Sequence, residues 1–428
     1  MRVLSLFDGM ACGMLAMQSA GIKVDRYVAF EIDKYAIQTS SHNFPAIEHR
    51  GDVFQANFTE FRDFDFLVGG SPCTYWSIAQ KNGRETEASG IGWELFSQYV
   101  RALREAQPKY FIYENNKSMS KAIRDSITET FGFKPICINS ALVSAQNRWR
   151  LYWVGKRNPD GTYSRVSVEQ PDDRGILLCD VVDGLCWRDK AYTIDSNYHK
   201  TLGQQGFDRQ SGRRKMAAEP ICVAQRGRYT ENGIEQRFEA RADGKTNVLT
   251  TVQKDNNICE PVRVGALPRP NGELSTSQAF RIYSVDGKSV NLTAGGGGAG
   301  GKTGIYAIPV EFKGNVPTKA ISGADGKEYP VYEVKDGQIT IKGKRYPIKL
   351  QDGFYIIRKL TVCECKRLQT VPEWYEFPVS DTQAYKMLGN GWTVVVIAWL
   401  ILAAHVNSHS YKQSVSHPNG TEQMSFFD

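Results

Sequence analysis

Several features of membrane, secreted and zinc-binding proteins are missing from this 428-residue chain. No apolar run reaches the roughly 18 residues that span a membrane, and the longest, 391–404, is typical of a buried helix. None of the nine cysteines forms a CxxC pair. The first residues lead directly into a strand pattern, so no targeting peptide is expected. We therefore expect a reduced, cytoplasmic protein with neither a metal site nor a membrane anchor.

Acidic residues do not balance the basic ones in one part of the chain. The net charge is +7, yet residues 156–360 hold 32 Lys and Arg against 24 Asp and Glu, an excess of eight basic groups. Such a segment is typical of a surface that faces a polyanion. A solvated, lysine-rich surface gives the same count, so charge alone leaves both interpretations open.

Residues 1–155 alternate between strand and helix patterns. Helices are predicted at 13–21, 33–44 and 92–107, the last with a clear apolar face. This alternation indicates an α/β fold with a parallel, doubly wound sheet, whose last two strands form an antiparallel edge pair. The predicted strands are 3–7, 26–32, 64–70, 109–115, 134–143 and 149–155.

The middle of the chain is different in character. Residues 158–358 are rich in Gly, Asp, Asn, Lys and Thr, with short strand patterns and a glycine-rich loop at 294–301. Helix patterns return at 358–375 and 381–406. The sequence therefore predicts one α/β fold interrupted by a second, basic domain.

Polar residues follow the predicted strands at the edge where ligands bind in such sheets. Gly9 and Gly13 lie between a strand and a helix, where backbone can approach a nucleotide-like ligand. Glu31 and Asp52 end the next two strands and suit a ribose and an adenine amino group. Each carboxylate alone could be a solvated loop acid. Together they predict a nucleoside pocket.

A possible nucleophile lies at the same edge. The stretch "FDFLVGGSPC" places Cys73 after a strand and a glycine turn, although an isolated cysteine is often a small buried apolar residue. Glu114 ends the neighbouring strand, and its carboxyl group could act as a proton donor. Arg148 and Arg150 share one face of a strand and could bind an anion, or instead pair with surface acids.

Six motifs, in order, resemble those of the DNA (cytosine-5) methyltransferases. "FDGMACG" resembles the family's first cofactor motif, "GGSPC" its nucleophile motif, "YEN" its ENV motif and "QNRWR" its QxRxR motif. "RKLTVCECKRLQTVPEWY" resembles the segment after the recognition domain, and "LGNGWTVVVIAWL" the final motif. The resemblance covers about 1–157 and 358–405, and implies the Rossmann-like class I methyltransferase fold with a mixed, mostly parallel sheet.

The resemblance also implies the chemistry. Cys73 would add to C6 of a cytosine flipped out of duplex DNA, and Glu114 would contact N3 and the exocyclic amine. Arg148 and Arg150 would steady the site, while S-adenosylmethionine would supply the methyl group and leave as S-adenosylhomocysteine. The residues implied at the cofactor are Phe7, Asp8, Gly9, Met10, Cys12, Glu31, Ile32, Asp52, Val53, Pro72, Asn390 and Trp392.

The resemblance divides the chain into four parts: catalytic domain (1–157), β-rich target recognition domain (158–357), returning segment (358–410) and tail (411–428). Within the recognition domain, "RQSGRRK" and "AQRGRYT" supply candidate DNA contacts, with surface solubility as the alternative. These candidates are Arg213, Arg214, Arg226 and Arg228. A monomer in a bacterial cell or phage-infected host is expected.

Two positions depart from the family pattern. Thr74 stands where Gln is common, and Asn116 replaces the valine of the ENV motif. Asn116 could tune acceptance of a modified cytosine or another strand geometry, or only bond a neighbouring backbone group. The sequence also leaves open that a relative of S-adenosylmethionine is the donor of the transferred group.

Other functions fit parts of the sequence. A tRNA cytosine-5 methyltransferase shares the motifs, but the large basic insert favours duplex DNA. A DNA-binding relative without catalysis is disfavoured by the intact Cys73 and Glu114, and a nicotinamide-dependent oxidoreductase explains only the sheet. The tail segment Gln423–Phe427 resembles the short peptides that dock on the bacterial sliding clamp.

Overall fold

The computed structural model describes most of the α/β part of the chain and the second half of the insert. For 223–230 and 233–240 it describes only the backbone. The other described residues are 1–77, 83–183, 261, 263–269, 271–275, 277, 280–292, 305–310, 320–322 and 327–405.

The first half of the chain forms an eight-stranded sheet with the order β3-β2-β1-β4-β5-β7-β6, and β8 pairs with β7 outside this path. The first five strands run parallel, while β7 runs antiparallel to both β5 and β6. The strands are β1 (Arg2–Leu6), β2 (Arg26–Phe30), β3 (Glu48–His49), β4 (Phe66–Gly69), β5 (Tyr110–Asn116), β6 (Ile136–Asn139), β7 (Trp149–Arg157) and β8 (Tyr163–Arg165).

This sheet confirms the predicted α/β class with a mixed, mostly parallel sheet. The strand order reverses between β1 and β4, and ligands of open α/β sheets bind at such a reversal, outside the carboxyl ends of the strands. The predicted antiparallel pair is β6 with β7, but β7 is inserted between β5 and β6. As a result, Arg148 and Arg150 lie beside β5 rather than at the sheet edge.

Helices cover both faces of the sheet. Ser120 caps α4 by accepting from the backbone N–H of Ile123, and Gly132 ends it with φ 78°. The predicted helix over 381–406 is two helices in the structure, because residues 391–393 are not helical. The helices are α1 (Cys12–Ser19), α2 (Lys34–Asn43), α3 (Gly90–Ala106), α4 (Lys121–Phe131), α5 (Val362–Leu368), α6 (Asp381–Asn390) and α7 (Val394–His405).

The apolar helix α7 packs against α1 and against β5 and β7 of the sheet, on the face opposite α3 and α4. Among the described residues, Asp381–His405 is long and apolar enough to cross a membrane by length and composition alone, and 61% of its most apolar window is buried. A buried core helix passes the same test. The packing of α7 is that of a core helix, as the sequence predicts for 391–404.

The insert is rich in β-structure, as the resemblance implies. Its larger sheet has the order β11-β12-β13-β18-β15-β16-β17, with β14 on β15, and β9 and β10 form a separate hairpin. The strands are β9 (Val223–Thr230), β10 (Gly233–Ala240), β11 (Arg263–Ala266), β12 (Arg281–Ser284), β13 (Ile305–Val310), β14 (Ala320–Ser322), β15 (Glu328–Lys335), β16 (Gln338–Ile341), β17 (Lys344–Pro347) and β18 (Gly353–Arg358).

Buried charged groups join the insert to the α/β part. The ammonium of Lys288, which is 1% exposed, donates to the carbonyls of Ala141, Ser144 and Ile176. Where the chain leaves β18, the buried Arg358 guanidinium pairs with Glu364 of α5. A buried charge that lacks its partners is costly, so these contacts hold the insert in a defined place.

Candidate active site

The turn after β1 is held in an uncommon backbone conformation. Phe7, Gly9 and Ala11 all have positive φ, at 57°, 59° and 59°. Only Gly9 adopts this region without a steric penalty. Strain of this kind persists where the surroundings enforce it, often at functional sites. Here it directs residues 7–10 into a cavity at the carboxyl ends of the strands.

The carboxylate of Glu31 links this turn to the end of β2. One oxygen accepts from the backbone N–H of Gly9 at 2.8 Å. The other accepts from the N–H groups of Ile32 and Asp33, both at 2.8 Å. The side chain lines the cavity in this fixed orientation. Asp33 in turn pairs with Lys386 of α6 at 2.6 Å.

Asp8 is buried beneath the turn. Its Oδ1 accepts from Ser5 Oγ at 2.6 Å and from Tyr27 Oη at 2.7 Å, while its Oδ2 has no hydrogen-bond partner among the described residues. Burial raises the pKa of Asp8 to about 6. A buried carboxylate oxygen beside a cavity can accept a hydrogen bond from a ligand.

The cavity, of about 210 Å³, joins the turn after β1 to the ends of β4 and β5. Most of the predicted site residues lie along it: Phe7, Asp8, Gly9, Met10, Cys12, Glu31, Pro72, Cys73, Glu114, Asn390 and Trp392. Sequence reasoning missed other residues of its wall, among them Asp33, Gly70, Ser71, Lys386 and Gly391.

Three residues predicted at the cofactor lie off the cavity wall. Ile32 is 75% exposed, and Val53 is buried in the core beneath α3. The Asp52 carboxylate accepts from the backbone N–H of Phe54 and so caps a short 3-10 turn. Their assignment to the cofactor stays a prediction.

The glycine pair before Cys73 is explained by close packing. A Cβ atom at Gly69 would lie 2.7 Å from the carbonyl oxygen of Leu6, and one at Gly70 would lie 2.7 Å from that of Glu114. Neither position accepts a side chain without moving backbone. Cys73 follows at the start of a 3-10 turn and is partly exposed to the cavity.

Cys73 differs from the other cysteine on the cavity wall. Cys12 is buried against the turn after β1, and burial raises its pKa to about 12, so its thiol stays protonated at neutral pH. Cys73 is the more accessible thiol of the two. The geometry therefore assigns any nucleophilic role at this cavity to Cys73.

The carboxylate of Glu114 is held by an ion pair and a hydrogen bond. Arg150 Nε lies 3.0 Å from Oε1, and the indole Nε1 of Trp392 lies 3.0 Å from Oε2. Glu114 and Arg150 are both almost fully buried, which strengthens such charge-assisted contacts. Arg150 is thus the arginine that pairs with Glu114, and its place beside a target base stays a prediction.

Arg148 binds backbone instead. Its guanidinium donates to the carbonyls of Leu292, Gly389 and Gly391, the last at 2.7 Å, and to Asn291 Oδ1. Burial and the neighbouring Arg150 lower the pKa of Arg148 to about 9, which leaves it charged at neutral pH. Arg148 therefore stabilises the wall of the site.

Asn116 contacts the backbone of the nucleophile. Its Nδ2 lies 3.4 Å from the carbonyl oxygen of Cys73, and its Oδ1 accepts from Ser118 Oγ. The amide thus bonds a neighbouring backbone group, the second of the two interpretations of this position. Tuning of substrate acceptance stays a prediction.

With this geometry, comparison with known proteins identifies the family. The family model described as C-5 cytosine-specific DNA methylase matches residues 1–404. The chain belongs to the C-5 cytosine-specific DNA methylase family. This confirms the family and enzyme class that the six motifs predict.

Curated relatives of this methylase come from phages and bacteria. The orphan methyltransferase M.Rho11sI of Bacillus phage rho11s is 25% identical over 76% of this chain and 65% of its own length, just under two thirds. The orphan methyltransferase M.SPRI of Bacillus phage SPR is 24% identical over 96% and 99%. The type II methyltransferase M.HpaII of Haemophilus parainfluenzae is 25% identical over 92% and 86%.

Solved structures show the same fold. The Entamoeba histolytica methyltransferase EhMeth aligns with a TM-score of 0.51 at 12% identity, over 94% of this chain and 97% of its own. A Spodoptera frugiperda DNMT2 mutant aligns with a TM-score of 0.50 at 15% identity, over 94% and 99%. At these identities the likeness supports the class I methyltransferase fold alone.

The remaining sequence candidates lie in the insert. Arg213 and Arg214 lie outside the described residues, while Arg226 and Arg228 are two positions apart on β9. No group of three or more His, Cys, Asp or Glu that could hold a metal ion occurs in the part of the chain that the structure describes. The methylase site described above is thus built from the cavity residues.

Asp8 should make the stability of the ligand-free methylase depend on pH. Because its folded pKa of about 6 exceeds its ordinary value of 3.8, the folded state binds more protons between these values, and stability falls as pH rises through this window. Asp8→Asn should therefore raise the free energy of unfolding by about 2–3 kcal/mol at pH 8 and change it little near pH 4. Urea unfolding at both pH values measures the difference.

The matched control is Asp172→Asn, because Asp172 is exposed and water solvates it in both states. An Asp8→Asn effect of equal size at both pH values would contradict the raised pKa of the buried Asp8 carboxyl group.

Proposed function

We propose that this methylase transfers a methyl group from S-adenosylmethionine to C5 of a flipped-out cytosine in duplex DNA. A covalent bond between Cys73 Sγ and C6 of the base activates C5, and S-adenosylhomocysteine is the second product. The observation that carries the proposal is the single cavity that joins Cys73 and Glu114 to the strained turn after β1.

The roles of Cys73 and Glu114 follow from their positions. The thiolate of Cys73 adds to C6, the electron pair of the C5–C6 double bond forms a C4–C5 double bond, and that of the N3–C4 double bond moves to N3, which takes a proton. The product is an enamine that is nucleophilic at C5. Glu114 binds the N3 and exocyclic amine edge of the base and stabilises the charge that develops there. After the methyl group is bound to C5, loss of the C5 proton expels Cys73 and restores the aromatic ring.

The other half of the cavity fits the cofactor. Bound S-adenosylmethionine supplies an electrophilic methyl group. The buried Oδ2 of Asp8 can accept a hydrogen bond there, and Glu31 holds the backbone of the turn in place. Gly391 keeps this wall open, since a Cβ atom there would lie 3.2 Å from Cys12 Sγ and 3.0 Å from the carbonyl oxygen of Met387.

The proposed substrate is duplex DNA. The insert carries the excess basic charge of the chain, as expected of a domain that contacts phosphates. The family is described as cytosine-specific DNA methylase, which favours DNA over tRNA. The relatives, named as orphan and type II methyltransferases of phages and bacteria, favour a cytoplasmic enzyme. In this proposal, 158–357 is the target recognition domain, and the enzyme acts as a monomer.

The proposal predicts a specific product. Unmodified duplex DNA incubated with S-adenosylmethionine and the protein should contain 5-methylcytosine by nucleoside mass spectrometry. Cys73→Ala should yield none, because no other thiol on the cavity wall is accessible among the described residues, whereas Cys12→Ala should keep activity within about tenfold. A parallel incubation with tRNA tests the alternative substrate. Product from tRNA alone, or from Cys73→Ala, would contradict the proposal.

We also propose a partner for the tail. Gln423–Phe427 lies outside the described residues, so its chemistry is argued from the sequence: Met424, Phe426 and Phe427 offer apolar side chains to a groove. A bacterial sliding clamp should co-purify with the full chain and be lost on deletion of 421–428, with methylation of short duplexes unchanged. Equal recovery of the clamp by both forms would end this proposal.

A further inference from the structure

Trp392 lies in a short non-helical segment that is held by hydrogen bonds on both sides. It lies between α6 and α7, where α6 ends and the apolar α7 begins. The carbonyl of Gly391 accepts from Arg148 at 2.7 Å and from Gln369 at 3.3 Å. Thr393 Oγ1 donates to Gln369 Oε1 at 2.9 Å. The residues on both sides of Trp392 are therefore anchored, which gives its indole a defined position.

The indole donates a hydrogen bond to Glu114. Rotation about the terminal bond of a glutamate is broad, so an ion pair alone does not fix the plane of its carboxylate. Here Arg150 Nε forms an ion pair with Oε1, and Trp392 Nε1 donates to Oε2, each at 3.0 Å. The directional hydrogen bond at one oxygen and the ion pair at the other together set the plane. Each oxygen keeps a further lone pair free to meet a base.

We propose that Trp392 is a positioning residue that orients the Glu114 carboxylate toward the target cytosine through its indole N–H. The inference rests on the proposed function. Trp392 also lines the cavity that contains the turn after β1. One side chain thus borders both the cofactor half and the base half of the site.

Hydrogen exchange at C5 tests the inference without any cofactor. When Cys73 adds to C6, the enamine can take a proton from water at C5. Loss of the original C5 hydrogen, with breakage of the S–C6 bond, then restores cytosine. Mixed-sequence duplex DNA carrying tritium at cytosine C5 should release tritium into water with the wild-type protein.

Trp392→Phe keeps an aromatic ring and removes the N–H. Loss of one hydrogen bond to a charged group should slow tritium release about tenfold or more. Binding of S-adenosylhomocysteine, measured by calorimetry, should change less than threefold, and the melting temperature should stay near that of the wild type. Trp399→Phe is the matched control, because it removes an indole N–H bond to the carbonyl of Glu169, away from the cavity.

The outcomes separate the inference from the proposed function. Tritium release by Trp392→Phe within twofold of wild type would overturn the inference, and so would a parallel loss of cofactor binding and thermal stability. No release by the wild type, together with no 5-methylcytosine, would instead overturn the proposed function and the inference that rests on it.

Discussion

The site depends on one buried guanidinium. Arg148, directly before the strand that lies between β5 and β6, binds the carbonyl of Leu292 in the insert and those of Gly389 and Gly391 in the returning segment. Three parts of the chain that are far apart in sequence therefore meet at one side chain. Without these bonds the buried charge of Arg148 would lack its partners, which is strongly unfavourable.

This constraint explains how an interrupted fold forms a continuous site. The first half of the chain supplies the sheet, Cys73 and Glu114, but the cavity wall is complete only when α6 and α7 return beside them. Lys288 and the Arg358–Glu364 pair hold the insert at the same junction. The insert is thus fixed relative to Cys73.

Much of the sheet and the core of the site could be predicted from sequence. Strand and helix patterns are strong in 1–155. The two glycines before Cys73 predict a tight turn, and in the structure backbone carbonyls leave no room for a Cβ atom at either position. Helix α4 went unpredicted, although Ser120 and Gly132 at its ends are ordinary capping signals. The boundary between α6 and α7 could not be predicted, because α7 is apolar on nearly every face and no hydrophobic periodicity marks its first residue.

The remaining features depend on long-range contacts. Trp392 and Glu114 are 278 positions apart, and no local pattern pairs them. Arg148 and Arg150 are two positions apart, yet Arg148 binds backbone carbonyls and Arg150 pairs with Glu114, a difference set by the elements packed around them. The sequence left two interpretations of Asn116 open, and its bond to the Cys73 carbonyl could be seen only in the folded chain.

Covalent trapping tests the central claim most directly. In duplex DNA with 5-fluorocytosine, the fluorine at C5 cannot leave as a proton, so the bond to C6 persists once the methyl group is transferred. With S-adenosylmethionine, the account predicts a stable protein–DNA complex whose peptide map places the base on Cys73. A complex mapped to Cys12, or none at all while ordinary DNA still gains 5-methylcytosine, would contradict it.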